Sequence, residues 1–293
     1  MSTTSPAAGL LRDLVDLPWR LLGLSRAPLA LAGPAVRRDP DEDAVVLRSG
    51  GRDVATTPEE VERAFPHATG RLVLFVPDAG QDESAWTTHL DQVGGTYPSR
   101  LASLLEWTPV HVLPHAGLRP SEVAVDLVAT VQELVDVWPV PLTRIALVGH
   151  GTGGLVLRAA CAVDALGGES WLSLVEDVVL LGTPHLVVPG SGPALARQLD
   201  QELAGIVTEE YADPQAPALP GARYELVVDR NQTRSSLIGG LVGGLLWWRQ
   251  RLPTRPRTAR ELFPTASVHH VESRQTTLVN HPEVHQALLG WLA

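Results

Sequence analysis

The residues best placed to do chemistry lie in the string IALVGHGTGGLVLRAA, residues 145 to 160. An apolar run, a glycine-rich turn and a second apolar run read as a buried strand, a tight turn and a helix. This is the frame of a nucleophile elbow, G-x-S-x-G, in which a strained turn lifts a serine above the sheet edge. Glycines let the backbone make that turn, and the helix N-terminus behind it favours negative charge. Gly151 stands where the serine belongs, so the frame is present and the nucleophile is absent. Thr152 follows at once and is read as the residue that starts the helix and presents its N–H, with service as a substitute nucleophile as the alternative. His150 fills the variable position of the elbow and is read as structural.

A strand must carry that elbow, and the chain supplies several. LVLFV at 72 to 76, VHVL at 110 to 113, IALVG at 145 to 149, VVLLG at 178 to 182, YELVV at 224 to 228 and SVHHV at 267 to 271 are short apolar runs. Such near-continuous runs fit strands of a parallel sheet covered on both faces. Val123, Leu127, Val131, Leu134 and Trp138 mark one face of a helix opened by Pro120, and a last helix follows Pro282 with Val284, Leu288 and Leu292 facing inward. Strand and helix alternate, which predicts an α/β fold with a mostly parallel central sheet and helices on both faces. Residues 1–53 are read as an N-terminal amphipathic helix, with Leu10, Leu14, Leu17 and Leu21 at helical spacing, and an irregular or hairpin lead-in rich in Gly, Pro, Arg and Asp. Residues 54–293 are read as the main domain.

Three segments in the correct order carry a family resemblance: the elbow, LVEDVVLLGTPHLVVPG after it, and TTLVNHPEVHQALLGWL near the C-terminus. Over about residues 50 to 293 the chain resembles lipase/esterase members of the α/β-hydrolase superfamily, of actinobacterial type. The resemblance implies that fold and three positions that this sequence fills differently. The nucleophile position is Gly151. The family's His-Gly pair after the first long strand is replaced by Pro77-Asp78-Ala79-Gly80; proline lacks an N–H, and a carboxylate at Asp78 opposes a developing oxyanion. The base falls at Arg274 or Gln275, neither of which takes a proton near neutral pH. The resemblance places the acid at Gly240, whereas Asp229, at the end of its strand, is the other choice.

Composition narrows the function classes. The net charge is −10, the cationic side chains are all arginine, and no basic run interleaves with aromatics, which excludes a nucleic-acid partner. The lone Cys161, flanked by alanines, reads as core filler and rules out an internal disulfide. His269, His270, His281 and His285 show no metal-ligand spacing and read as surface or packing residues, as do His111 and His115 around a strand end; no metal or cofactor is expected. The N-terminus lacks the basic start of a signal peptide, so a cytoplasmic location is expected. The apolar stretch SSLIGGLVGGLLWW, residues 235 to 248, is too short to span a bilayer and reads as a buried loop or lid. Trp247 and Trp248 beside Arg249 and Arg251 give membrane-surface contact as its alternative.

These readings converge on a lipase/esterase-like fold without Ser-His chemistry. A cleft around Asp78, Ala79, His150, Gly151, Thr152 and His185, enlarged by the missing serine side chain, is expected to bind an apolar or acyl ligand. A protein partner, docked through the N-terminal helix or the Trp-rich loop, is a further expectation. The rival reading is an active carboxylic-ester hydrolase or related lyase that uses Thr152 with His185 or His150.

Overall fold

The structure is a computed structural model, and it describes residues 44–78, 80–115, 118, 120–163, 170–183, 218–229, 263, 265–272 and 278–293. The hairpin β1 (Val45–Ser49) and β2 (Arg52–Asp53) leads into α1 (Pro58–Ala64) and β3 (Arg71–Val76). A 3₁₀ turn (Glu83–Thr87), α2 (Leu90–Val93) and α3 (Tyr97–Leu105) connect β3 to β4 (Thr108–Pro114). The chain continues through α4 (Pro120–Asp136), β5 (Arg144–His150) and α5 (Thr152–Ala162). A second 3₁₀ turn (Trp171–Leu174), β6 (Val175–Leu181), β7 (Arg223–Asp229), β8 (Ser267–Val271) and α6 (Pro282–Trp291) follow.

Eight strands form one sheet in the order β2-β1-β4-β3-β5-β6-β7-β8. The hairpin and its pairing to β4 are antiparallel, and every other neighbouring pair is parallel. All six apolar runs read from the sequence are strands of this sheet. The sheet begins at Val45, however, ahead of the boundary at 53/54 read from the sequence, because β1 pairs directly with β4. Glycine, arginine and aspartate mask the apolar Val45, Val46 and Leu47 in that segment.

Burial on both faces explains the unbroken apolar runs. Leu72, Leu74 and Val76 of β3 pack into one core with Val123, Leu127 and Val131 of α4 and Leu155 of α5. The alternate residues Val73 and Phe75 pack into a second core with Tyr97 and Leu101 of α3 and Val284 and Leu288 of α6. Alternation of side chains along a strand feeds both cores, and each fully buried Leu or Val contributes about 1.5–3 kcal/mol. Local capping fixes where the helices start. Thr96 and Ser99 make a reciprocal capping box at α3, and prolines open α1 and α6. Trp138, read as part of the α4 face, lies two residues beyond the helix; it is still buried, and its indole donates to the Thr69 carbonyl at 3.0 Å. His111 lies inside β4 rather than at its end. Cys161 is buried as expected, and burial pushes its thiol up to about 12.

The strand order reverses direction at β3. Its successor β4 lies on one side and β5 on the other, so the connections leaving β3 and β5 part at the carboxyl edge. A crevice at this switch point is where open α/β sheets place their ligands. Among the described residues, no helix is long and apolar enough to cross a membrane.

Candidate active site at the strand ends

Register determines what meets at the switch point. Val76, the last residue of β3, is paired with Gly149 of β5. Two residues further along each strand exit stand Asp78 and Gly151, side by side. Gly151 has φ 54° and ψ −124°, the sharp turn that an elbow requires, and α5 begins at the next residue. Its N–H donates to the Leu181 carbonyl of β6 at 2.9 Å, which ties the turn to the sheet. Gly153 is required for the helix to pass so close, because a Cβ there would lie 2.2 Å from the Pro77 carbonyl oxygen. The strand-turn-helix frame read from the sequence is therefore present in full.

The carboxylate of Asp78 fills the place of the missing side chain. A Cβ on Gly151 would lie 2.4 Å from Asp78 Cγ and 2.5 Å and 2.7 Å from its two carboxylate oxygens. The expected enlargement of the cleft is thus corrected, since glycine at 151 makes room for a neighbour and leaves no void. Asp78 Oδ1 accepts the Thr152 backbone N–H at 2.8 Å and the Thr152 hydroxyl at 2.6 Å. In ester chemistry the amide after the nucleophile is the donor that holds the oxyanion. Here that donor already has an anion of the protein's own. Asp78 therefore does more than repel an incoming oxyanion: it occupies the amide to which the oxyanion would bind.

The histidines around the elbow take definite roles. His150 ends β5, and burial drives its pKa below the ordinary value while the charge of Asp78 pulls it back up. Its Nδ1 is buried without a hydrogen-bond partner, consistent with a neutral ring. Asp229 ends β7 and is buried, which places a carboxylate at the carboxyl edge of the sheet. Gly240 lies outside the described residues, as do Ala79, His185, Arg274, Gln275, Trp247, Trp248 and the leucines of the N-terminal helix.

Two features of the site have little signal in the sequence. One is the Asp78–Thr152 pairing; offsets of two and three residues from the ends of LVLFV and IALVG were its only signal. The other is the proximity of His281 to Asp229, since the sequence left surface and packing both open for this residue. It is buried at the start of α6 and lies within the electrostatic reach of Asp229. His285 is buried one turn later. His269 instead pairs with Glu225 at 2.6 Å across β7 and β8 and packs against Trp291 with the rings tilted by 43°. Among the described residues, no group of three or more His, Cys, Asp or Glu side chains could hold a metal ion.

No family model matches this sequence, and no curated protein matches it. Solved structures with a similar chain path include Est1E from Butyrivibrio proteoclasticus, at 10% identity and a TM-score of 0.46, covering 76% of this chain and 86% of that one. The Pyrococcus furiosus esterase Pf2001 is 11% identical with a TM-score of 0.44, covering 77% and 81%. MenH from S. aureus is 11% identical with a TM-score of 0.41, covering 86% and 98%. The protein's own features are a mostly parallel sheet with an antiparallel hairpin at one edge, an elbow at the switch point after β5, an acid at the end of β7 and a closing helix after β8, and with them this chain has the α/β-hydrolase fold.

Proposed function

We propose that this protein is a lipase/esterase-like α/β-hydrolase-fold protein without ester-cleaving chemistry, which acts by binding. The carrying observation is the Asp78 carboxylate, seated where a nucleophilic side chain would project and hydrogen-bonded to the amide that would hold an oxyanion. Loss of the nucleophile alone costs about 10⁶ in turnover, and the residual rate of roughly 10³–10⁴ over water comes from the oxyanion hole and binding. With the amide engaged by Asp78, that residual contribution is also suppressed. A small apolar or acyl molecule held at the carboxyl edge, or a protein partner, is the occupant in this reading, and the cytoplasm is its setting.

One observation favours a second reading, in which Thr152 is a relocated nucleophile. Its hydroxyl lies 2.6 Å from a carboxylate, within the reach expected of a nucleophile and its base. Against it, a carboxylate is a weak base for a hydroxyl, and the same oxygen engages the donor that the reaction needs. Turnover of p-nitrophenyl butyrate by folded protein separates the two readings. We expect no rate above buffer for the native chain and none for Thr152→Val or Asp78→Asn. A native rate that Thr152→Val abolishes would establish the second reading.

A further inference from the structure

The start of α6 is tied to the loop after the first 3₁₀ turn by an unusual concentration of buried polar groups. The Tyr97 hydroxyl donates to the Leu278 carbonyl at 2.8 Å, and the Thr88 hydroxyl donates to the Val279 carbonyl at 3.0 Å. The Asn280 amide donates to the carbonyls of Thr88 at 2.7 Å and Gly95 at 3.1 Å. His281 and His285 are 7% and 6% exposed, the first as the N-cap of α6 and the second one turn into it. His281 is engaged by the Glu272 carbonyl, and His285 by the carbonyls of Gly95 and Thr96. His281 Nδ1 and His285 Nε2 are buried with no hydrogen-bond partner. A second proton on either ring would therefore arrive on a nitrogen that faces no acceptor, at the positive end of a helix.

We propose that this junction is an acid-sensitive latch. The hydrogen bonds of Tyr97, Thr88 and Asn280 hold the turn Leu278–His281 against the loop Thr88–Thr96, neutral His285 adds a tie to that loop and neutral His281 one to Glu272, and protonation of the two rings releases the junction. That loop continues from the strand exit carrying Asp78, so the latch joins the C-terminal helix to the connection that forms the candidate site.

The groups facing the two rings set the sign of the response. For His285 the charge is Arg100 on α3, the same sign as an imidazolium, and the Tyr97 ring packs 5.5 Å away. For His281 they are Glu283 on its own helix, His89 ahead of α2 and Asp229 at the end of β7; the two carboxylates favour the proton and His89 opposes it. Burial outweighs the favourable groups for both rings, and both pKa values lie below the ordinary histidine value. A histidine depressed in the closed state contributes stability above its open-state pKa of about 6.5 and loses it as pH falls toward the closed-state value.

Hydrogen exchange of the full chain at pH 7.5 and pH 5.0, corrected for the intrinsic rate, tests the latch. The amides of Val284 to Leu288 should exchange at least roughly tenfold faster at the lower pH, with β3 and β5 changing much less. The double variant His281→Asn, His285→Gln should lose that response. Arg100→Gln, which leaves both rings in place, should reduce it, and this variant decides the matter if the double variant does not fold. Equal loosening of α6 and the central strands would overturn the proposal, and so would an unchanged response in the double variant, or in Arg100→Gln where that variant decides.

Discussion

The two edges of the central sheet handle charge in opposite ways. At the amino edge, β3, β5 and β7 each open with an arginine: Arg71, Arg144 and Arg223. Arg144 and Arg223 converge on Asp177, whose side chain is 3% exposed, at 2.5 Å and 2.7 Å, and Arg144 also meets Glu176 at 2.9 Å. Arg71 donates to the Leu292 carbonyl at 2.9 Å and lies over the Trp107 ring, while the Trp107 indole donates to the same carbonyl. Carbonyls at the end of α6 thus face cationic and indole donors, the favourable arrangement for a helix C-terminus. At the carboxyl edge a carboxylate lies against a strained turn, and His150 Nδ1 and Thr183 Oγ1 are buried without partners. The amino edge gathers the charge pairs, and the carboxyl edge keeps the strand-turn-helix frame of an elbow with Gly151 at its turn. The charge pairs lie at the other edge, so substitution at the elbow leaves them in place.

Four substitutions probe this division, beginning with the largest expected effect. Asp177→Ala leaves the mostly buried Arg144 with Glu176 as its remaining carboxylate and takes a partner from the exposed Arg223, and it should cost about 3 kcal/mol in urea unfolding, the lower end for a broken buried pair. A loss below about 1 kcal/mol would show that the amino edge is not the stabilising one.

Next is the pH dependence of His111, which sits within β4. Burial, with Arg48 adding to it, lowers its pKa to about 4. Above pH 6.5 the ring is neutral in both folded and unfolded chains; below that the unfolded chain takes up the proton first. Stability should therefore fall by about 2–3 kcal/mol between pH 6.5 and 4, and His111→Leu should flatten that part of the profile. A native profile that is already flat would refute this account of the ring.

The smallest effects belong to the carboxyl edge. Asp78→Ala removes the acceptor for the Thr152 amide and should cost about 1 kcal/mol, like the loss of a helix cap. Gly151→Ser should cost roughly 1–2 kcal/mol, because it places a Cβ at positive φ against Asp78. The double variant should cost less than the sum, with a coupling of about 0.5–3 kcal/mol, since removing Asp78 makes room for the serine. Strict additivity would mean that the two positions do not compete for space.

Much of this architecture was legible in the sequence. Apolar runs of five or so residues located six strands, most plainly β3, β5 and β6, where burial on both faces leaves no polar alternation to obscure them. The elbow was legible because Gly149, Gly151 and Gly153 stand at fixed spacing. Asp229 was legible as a strand-end carboxylate. The filled elbow was not, because it depends on the register of β3 against β5, a long-range property that periodicity does not report. Nor was the choice between surface and packing for His281 and His285, which turns on Asn280, with φ 58°, carrying them beneath the loop before α3. Val45 to Leu47 were legible only as part of a short hairpin or irregular lead-in, and the pairing of that hairpin to β4 is a long-range contact that the local sequence does not report.

The central claim is that this elbow holds no activated hydroxyl, and fluorophosphonate labelling followed by intact-mass measurement tests it most directly. Folded native protein should show no mass gain, and Gly151→Ser should show none either, since serine there would compete with Asp78 and lack a base at Gln275. A stoichiometric adduct on the native chain, mapped to Thr152 or to any other residue at the carboxyl edge, would contradict the account and make this protein a working hydrolase.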